Sequence, residues 1–365
     1  MHGNAALAVQ PQTRRFQLVE DMVVDGKVLH REGEFVTLAV NPADVTNQTE
    51  VLDSYLGGYA PFGFAADMFS KVVIVGKEAG QRRDFSKENA FQRVDTKSGR
   101  DGKIREVDHK SELGNYRVQE YALATYIPWA TENDAETLYN IRAAAGEMIM
   151  WKLALDREVR VFTQLTTLAN WGANNRTTIT TNFKWDNGST KSPRLDIHNR
   201  LKASAQPVTD IGMNPDVAYY FLSDNETRAY MRQMQGDQAS DRAIALAAQA
   251  TDTTGVQTVN VEGLPPIRIL PAKVLNESTG NLDYIMPNDV LLVTNQPGVP
   301  RDGQRVATHW TFRHRGRSGT GVVTNEYIPQ GRGLNSGTMF EAGFSDDSFF
   351  GSLIAGGLIK SALSF

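Results

Sequence analysis

The sequence has no cysteine among its 365 residues. Disulfide bonds, thiolate catalysis, cysteine zinc sites and iron–sulfur clusters are therefore excluded. The sequence also lacks a large excess of one charge, since its formal net charge at pH 7 is −4. A protein that holds nucleic acid tightly normally carries a basic surface. The composition therefore predicts that any contact with nucleic acid is loose and non-specific.

Long hydrophobic runs are absent as well. The strongest one, Phe349–Leu363, is interrupted by three glycines and Lys360, and it is shorter than the ~20 apolar residues of a membrane-spanning helix. The N-terminal stretch Met1–Pro11 is too short and too weakly apolar for a signal peptide. We therefore expect no membrane partner and a chain that stays inside the cell that makes it. Its 41% hydrophobic residues can still form a sizeable globular core.

The common catalytic and metal-binding motifs are missing. Gly316–Gly321 is the only stretch that resembles a phosphate cradle, but no helix follows it, so a hairpin turn is favoured. His309 and His314 are five residues apart on a predicted strand, which places them on opposite faces and excludes a shared metal. The adjacent Asp346 and Asp347 are more typical of a loop or helix cap than of an acid–base pair. The sequence predicts no enzyme, no cofactor and no metal site.

The chain does contain one unusually charged segment. Between Arg82 and Glu112 there are nine Lys/Arg and seven Asp/Glu, too many for a core. Two glycines within Lys97–Gly102 allow a tight reversal, so Gly76–Leu113 is predicted to form an extended hairpin, with a long surface loop as the alternative. The balanced signs favour a mixed protein surface over phosphate as the partner. The contact candidates near the tip are Lys97, Arg100, Asp101, Lys103, Arg105 and Glu106.

A strand and a long helix follow this segment. Asn115–Pro128 reads as the returning strand, and the helix is predicted to begin at Asn133 or Asp134 and to stop near Gly172. Some 35 residues would span about 50 Å, so the helix must pack along most of its length. Its predicted apolar stripe consists of Leu138, Ile141, Ala145, Met148, Leu155, Val159, Phe162 and Leu165.

The remaining elements are predicted from the same local signals. Gly321–Ile328 is expected to pair with Val306–His314 across the glycine-rich turn. The other predicted strands are Val72–Val75, Thr177–Trp185, Val217–Leu222, short pieces within Val256–Val274, and Asp289–Thr294. The predicted helices are one capped by Ser192, one capped by Ser223 or Asn225 and ending near Gln233, and one over Ala239–Ala250.

From about Val72 to the C-terminus, the order and spacing of these elements resemble tailed-bacteriophage major capsid proteins with the HK97 fold. Arg105–Asp108 and Tyr116–Ile127 are similar to the extended loop of that family. The helix from Asp134, which includes Leu153–Glu158, is similar to its spine helix. The stretches Trp185–Ile197 and Asn214–Asp224 are similar to those that lead into its axial domain.

The resemblance implies an α+β architecture of the HK97-like capsid type. Residues 1–70 would form an N-terminal arm and lead-in, although these residues alone are also compatible with a disordered tail. The extended loop would occupy residues 71–130, and the spine helix with the start of the peripheral domain would occupy residues 131–200. Residues 201–330 would form a mixed α/β axial domain with returning peripheral strands, and residues 331–365 a C-terminal segment.

The resemblance also implies a structural role. The chain would assemble with copies of itself into the hexamers and pentamers of an icosahedral head that encloses double-stranded DNA through non-specific contact. Because the stretch before the charged segment is short and not helical, a separate scaffolding protein is expected, together with a portal and a decoration protein. The location would be the virion, after assembly in the host cytoplasm. The alternatives are an encapsulin-type nanocompartment shell and an unrelated β-rich hydrolase or binding protein.

Overall fold

The computed structural model describes residues 63–84, 112–129, 141–187, 190–250, 255–295, 307–316, 321–327 and 337–364. It also describes the backbone of four short strands within the first 38 residues. These pair antiparallel in two separate ladders, of which the first joins β1 (Arg14–Gln17) to β4 (Phe35–Leu38). The second joins β2 (Met22–Val24) to β3 (Lys27–Leu29).

The two larger sheets and the helices that pack on them are called the body. The first of these sheets has five strands, and the longest of them lies at its centre. Three strands run in the order β17–β18–β16, β5 pairs in parallel with β16, and β8 pairs antiparallel with β18. The strands are β5 (Lys71–Val75), β8 (Gln119–Pro128), β16 (His309–His314), β17 (Val322–Tyr327) and β18 (Gly337–Phe350).

The predicted hairpin between β16 and β17 is wrong. Asp346 of β18 is opposite both Gln119 of β8 and Arg313 of β16, so β8 and β16 lie on opposite edges of β18. β17 lies on the same edge as β16, because β18 has 14 residues and can pair with the two strands end to end. The glycine-rich segment is an excursion between collinear strands, closed by a 2.9 Å hydrogen bond from the Gly321 N–H to the Arg315 carbonyl.

The long helix, α2, is described over Ile141–Thr166 and packs against β8 and β18. Its predicted start lies outside the described residues. The helix ends well before Gly172, because side chains bind the carbonyl groups of its last turn. The indole N–H of Trp171 donates to the Leu165 carbonyl at 2.7 Å, and Asn170 donates to the Gln164 carbonyl at 2.8 Å.

The buried face of α2 differs in part from the predicted stripe. Met148, expected inside, is 46% exposed. The buried face instead includes the next two residues, Ile149 and Met150. Two charged residues, Arg157 and Glu158, interrupt the apolar face and are buried with it. The buried apolar side chains of this face are Ala145, Ile149, Met150, Leu153, Val161, Phe162 and Leu165.

The second sheet has six strands, covered by four helices. Its order is β11–β12–β10–β15–β19–β9. The strands in that order are Gln257–Val259, Ile267–Ile269, Asp210–Met213, Val290–Val293, Gly357–Lys360 and Arg176–Thr178. The helices are α3 (Pro193–Ala203), α4 (Pro215–Ser223), α5 (Asn225–Gln235) and α6 (Asp237–Gln249). Their largest shared core is built around side chains such as Trp185, Ile211 and Phe221.

Several local predictions are corrected in this part of the chain. The stretch predicted as a buried strand over Val217–Leu222 is the helix α4, because the Asn214 side chain accepts the Val217 N–H at 2.8 Å and caps it. Asp224, rather than Ser223 or Asn225, caps α5. The predicted strand over Thr177–Trp185 is shorter, since a 3-10 turn begins at Thr181.

β5 is a strand as predicted but is not fully buried, since Ile74 is 49% exposed. In the part of the chain that the structure describes, no helix has the length and apolarity to cross a membrane. The domain boundaries given by the resemblance remain a prediction.

Candidate assembly site at the root of the extended hairpin

The root of the charged hairpin is described, whereas its tip is not. The six predicted contact residues, Lys97, Arg100, Asp101, Lys103, Arg105 and Glu106, lie outside the described residues. At the root, β6 (Ala79–Asp84) pairs antiparallel with β7 (Glu112–Arg117). These two strands are the flanks of the charged segment, and they pair as the sequence predicts.

The root is a two-stranded ladder that joins neither of the larger sheets among the described strands. A ladder of two strands is marginally stable in water by itself, so it needs contacts with the body. Aromatic rings provide these contacts. The guanidinium of Arg82 lies 3.5 Å from the ring centroid of Phe349, and the ring of Tyr116 meets Phe312 edge-on at 4.8 Å.

The fit between the two strands of the root depends on one glycine. A Cβ atom at Gly80 would lie 2.7 Å from the hydroxyl of Tyr116, so only glycine lets the tyrosine ring lie across β6. The root is also tied to β18, because the backbone N–H of Arg117 donates to the Asp347 carboxylate at 3.0 Å. Asp347 therefore acts as an anchor for the hairpin.

Asp346, the neighbour of Asp347, points to the opposite face of β18 and is fully buried. Three arginines surround its carboxylate, at 3.5 Å for Arg157, 3.3 Å for Arg160 and 3.6 Å for Arg313. The prediction of a loop or cap for this aspartate is wrong. It is instead the central anion of a buried cluster that joins α2, β16 and β18.

The cluster extends to two more elements of the fold. Arg157 also pairs with Asp67 of the short helix α1 (Ala66–Phe69), at 2.5 Å. Arg160 lies 3.6 Å from the ring centroid of Tyr121 in β8. Burial and the nearby Arg157 lower the pKa of Arg313. The cluster thus fixes the long helix against the sheet directly beneath the hairpin root.

Glu158 holds the segment that precedes α1 against the long helix. Its two carboxylate oxygens accept the backbone N–H groups of Ala65 and Ala66, at 2.8 and 2.6 Å. Burial raises the pKa of Glu158 to about 7, although both N–H groups and Arg157 favour the charged form. Asp67 adds to the increase.

His309 forms the polar link between β16, α2 and the end of α1. Its Nδ1 lies 2.7 Å from the Ser70 hydroxyl and its Nε2 lies 2.7 Å from the Gln164 side-chain oxygen. Burial and the charge of Arg157 lower its pKa to about 3, so the ring is neutral. His314 lies on the other face of the strand and is partly exposed.

This arrangement joins α1 and α2 to the strands β8, β16 and β18. Each arginine of the cluster pairs with an aspartate, and the described residues contain no group of three or more His, Cys, Asp or Glu that could hold a metal ion. One signal of the cluster was present in the sequence but was missed. Arg157 lies four residues from both Leu153 and Val161, in line with the apolar face of the helix.

The contact between Arg82 and Phe349 leads to a testable prediction. Replacing Arg82 with alanine should loosen the root by about 1 kcal/mol, the usual size of a partly exposed cation–π contact. Trypsin cleavage within residues 85–111 should then be about fivefold faster, provided that the root opens and recloses faster than trypsin cleaves it. Limited proteolysis followed by mass spectrometry measures this rate.

Lys273 offers a matched control for the same chemical change. Its ammonium lies 4.7 Å from the ring centroid of Tyr284 in the other small hairpin, formed by β13 (Lys273–Leu275) and β14 (Leu282–Tyr284). Lys273→Ala should leave cleavage of the charged segment unchanged. Equal cleavage rates for Arg82→Ala and the wild-type chain would show that this contact does not hold the root.

The fold is shared with proteins of phage origin. The crystal structure of a phage-related protein from Bordetella bronchiseptica RB50 aligns with a TM-score of 0.60 and 17% identity, over 86% of this chain and 96% of that one. The capsid structure of the cyanophage P-SCSP1u aligns with a TM-score of 0.51 and 12% identity, over 83% of this chain and 90% of that one.

Comparisons by sequence alone are silent. No protein-family model matches the chain, and a search of curated proteins gives no match. The structural matches show that the chain has the α+β fold of a phage capsid protein, which confirms the fold expected from the HK97 resemblance.

Proposed function

We propose that this chain is the major capsid protein of a tailed bacteriophage and that it acts as a structural subunit, without enzymatic activity. Copies of it form hexamers and pentamers, and these close into an icosahedral head around double-stranded DNA. The fold shared with a cyanophage capsid supports this proposal. Head assembly takes place in the host cytoplasm, and the mature location is the virion.

The observation that carries the proposal is the rooted hairpin. Its two strands pair with each other alone among the described strands, yet rings and a carboxylate of the body hold them in place. Between Arg82 and Glu112 there are nine basic and seven acidic residues, so this hairpin cannot form a hydrophobic core. A charged hairpin that is fixed at its root is suited to contact a neighbouring copy through many interspersed ion pairs.

Exposed apolar side chains on the second hairpin also favour contact between subunits. Leu275 and Leu282 are directly opposite each other on β13 and β14 and are 56% and 65% exposed. Leaving two adjacent leucines in water is unfavourable, because full burial of each side chain contributes ~1.5–3 kcal/mol of stability. A ring of subunits would provide such cover.

The proposed partners follow from the same role. The net charge of −4 suits non-specific contact with packaged DNA, with no tight binding. A separate scaffolding protein, a portal and a decoration protein complete the set of proposed partners. The N-terminal residues 1–70 would serve as an arm that reaches neighbouring subunits.

Removing the tip of the hairpin tests the proposal. We expect a chain that lacks Lys97–Lys103 to fold with the wild-type circular dichroism spectrum and melting temperature but to lose stable shells. Analytical ultracentrifugation would show small species where the wild-type chain forms fast-sedimenting particles. The proposal assigns the tip to contacts between copies, so its removal should leave the fold of a single subunit intact.

A matched control uses the glycine-rich segment between β16 and β17. Shortening the Gly316–Gly321 excursion by two residues should leave particle formation intact, since it connects collinear strands within one subunit. If the Lys97–Lys103 deletion unfolds the isolated subunit, the segment belongs to the body and the assigned role of the hairpin is wrong.

A further inference from the structure

The surface around α3 carries an unusual excess of positive charge. Between Arg176 and Lys202 there are six Lys/Arg and only two Asp/Glu, in a chain whose net charge is −4. α3 packs against β19 and against the turn that precedes β9, the last described strand of the second sheet, so these residues come together in the fold. The six cations are called the basic face and are Arg176, Lys184, Lys191, Arg194, Arg200 and Lys202.

Neutral groups of the chain hold most of these cations in place. The guanidinium of Arg200 donates to the carbonyls of Asn174 and Arg176, at 2.6 and 3.3 Å. The guanidinium of Arg176 donates to the Leu168 carbonyl at 2.7 Å. Such contacts orient a cation without neutralising it, and each guanidinium keeps further N–H donors for a partner. The other contacts of this kind join Lys184 to the Leu363 carbonyl (2.9 Å), Lys191 to the Trp185 carbonyl (3.0 Å) and Arg194 to the Tyr230 ring (3.5 Å to its centroid).

Carboxylates of the body do not neutralise the basic face. Among the described residues, none of its six cations forms an ion pair with a carboxylate. The two acidic residues of this stretch bind other groups, since Asp186 accepts the Ser364 backbone N–H at 3.0 Å and Asp196 accepts the Trp185 indole N–H at 3.1 Å. The charge of the face is therefore available to an anion from outside the subunit.

The arrangement of donors suits an extended row of anions. On α3, Arg194, His198 and Lys202 follow one another at four-residue steps, so they form a row about 12 Å long on one side of the helix. Proteins contact DNA phosphates with Lys and Arg and also with uncharged hydroxyl and amide donors. Exposed donors of the second kind in this region are Thr178, Thr180, Thr181, Asn182 and Asn199.

We propose that the basic face is the surface through which this chain contacts the phosphates of packaged double-stranded DNA. The inference rests on the proposed function, because it identifies the residues behind the non-specific contact described there. Among the partners of that function, DNA is the dense polyanion, with one negative charge per ~1.7 Å of helix axis. The contact is weak for one subunit, reads no base sequence and requires α3 to face the inside of the shell.

Binding of a fluorescent 20-base-pair duplex to the unassembled subunit tests this assignment. Fluorescence anisotropy between 50 and 200 mM salt should show a log–log slope of affinity against salt of about −3 to −5, since each neutralised phosphate contributes ~−0.9. Arg176→Glu combined with Lys202→Glu reverses the two exposed cations of the face. We expect this double variant to bind at least tenfold more weakly at 50 mM salt, with a slope shallower by about 2.

The matched control is Lys152→Glu combined with Arg242→Glu, which makes the same change in net charge at two exposed residues of α2 and α6. Charges that do not touch the duplex act on it only through a screened potential. The control should therefore lower the affinity by less than about threefold. Circular dichroism of both double variants establishes that each is folded.

Two results would overturn the inference and leave the proposed function standing. One is equal affinity of the two double variants for the duplex, or no binding by the wild-type chain at 50 mM salt. The other is binding of polyglutamate as tightly as the duplex, which would assign the basic face to an acidic protein. A wild-type chain that forms no particles under electron microscopy would instead contradict the proposed function.

Discussion

Replacing Asp346 with alanine is expected to lower the free energy of unfolding by about 3–5 kcal/mol. The carboxylate is fully buried and lies within 3.6 Å of guanidinium nitrogens of three arginines. Its removal leaves these cations facing one another in a largely buried site. The loss is therefore much larger than the value of one surface ion pair, which is ~0–1 kcal/mol.

The adjacent residue provides the matched control for this prediction. Asp347→Ala removes one hydrogen bond from the Arg117 backbone at a partly exposed site, so we expect a loss of about 1 kcal/mol. Urea unfolding followed by tryptophan fluorescence measures both variants. Similar losses for the two would mean that the arginines are not held by Asp346, and the account of the cluster would be wrong.

The second large effect is an opposite pH dependence for Glu158 and His309. The pKa of Glu158 is about 7 in the folded chain, above its ordinary value of 4.5, so the folded state binds the extra proton. Its stabilisation is complete below pH 4.5 and is lost as the pH rises to 7, by about 3 kcal/mol in total. For His309 the folded pKa is about 3, below 6.5, so its stabilisation is lost as the pH falls from 6.5 to 3, by about 5 kcal/mol.

Between pH 4.5 and 6.5 the loss of stability with rising pH from Glu158 nearly cancels the gain from His309. Single variants should therefore reveal slopes of opposite sign, relative to the wild-type chain at each pH. Glu158→Gln should make stability rise more steeply with pH, because only the His309 contribution remains. His309→Gln should make it fall with pH, because only that of Glu158 remains.

Unfolding in urea at half-unit pH steps gives both slopes. The charged groups near these two residues are Arg157, Asp67, Asp346, Arg160 and Arg313, and all are unchanged in both variants. Their contributions therefore cancel in the difference from the wild-type chain. Slopes of the same sign for the two variants would show that at least one of these groups is not buried as described.

The parts of the fold that could be predicted are those specified by local signals. Charge density alone separated the hairpin from the core, and its flanks pair at the root as the sequence indicates. The spacing of apolar residues correctly placed the long helix after β8 in the sequence. Pro193 and the alanine-rich stretch that ends at Ala250 marked two more helices correctly, since such residues favour helix starts and interiors.

The other features depend on residues that are distant in the sequence. Asp346 is buried only because arginines from α2 and β16 meet around it, and no local pattern shows this convergence. β16 and β17 read as a hairpin because nothing near them reveals that β18 is long enough to pair with both. The helix α4 reads as a strand because its residues are nearly all apolar, and its start is marked only by the cap from Asn214 and by Pro215 in the first turn.

Cryo-electron microscopy of particles from cells that express this chain with a scaffolding protein is the most direct test of the central claim. The account predicts closed icosahedral shells built from hexamers and pentamers, in which the charged hairpin of each subunit lies on an adjacent copy. It also predicts that the body seen in each subunit keeps the Asp346 cluster beneath the hairpin root. A chain that remains strictly monomeric under all assembly conditions would contradict the account.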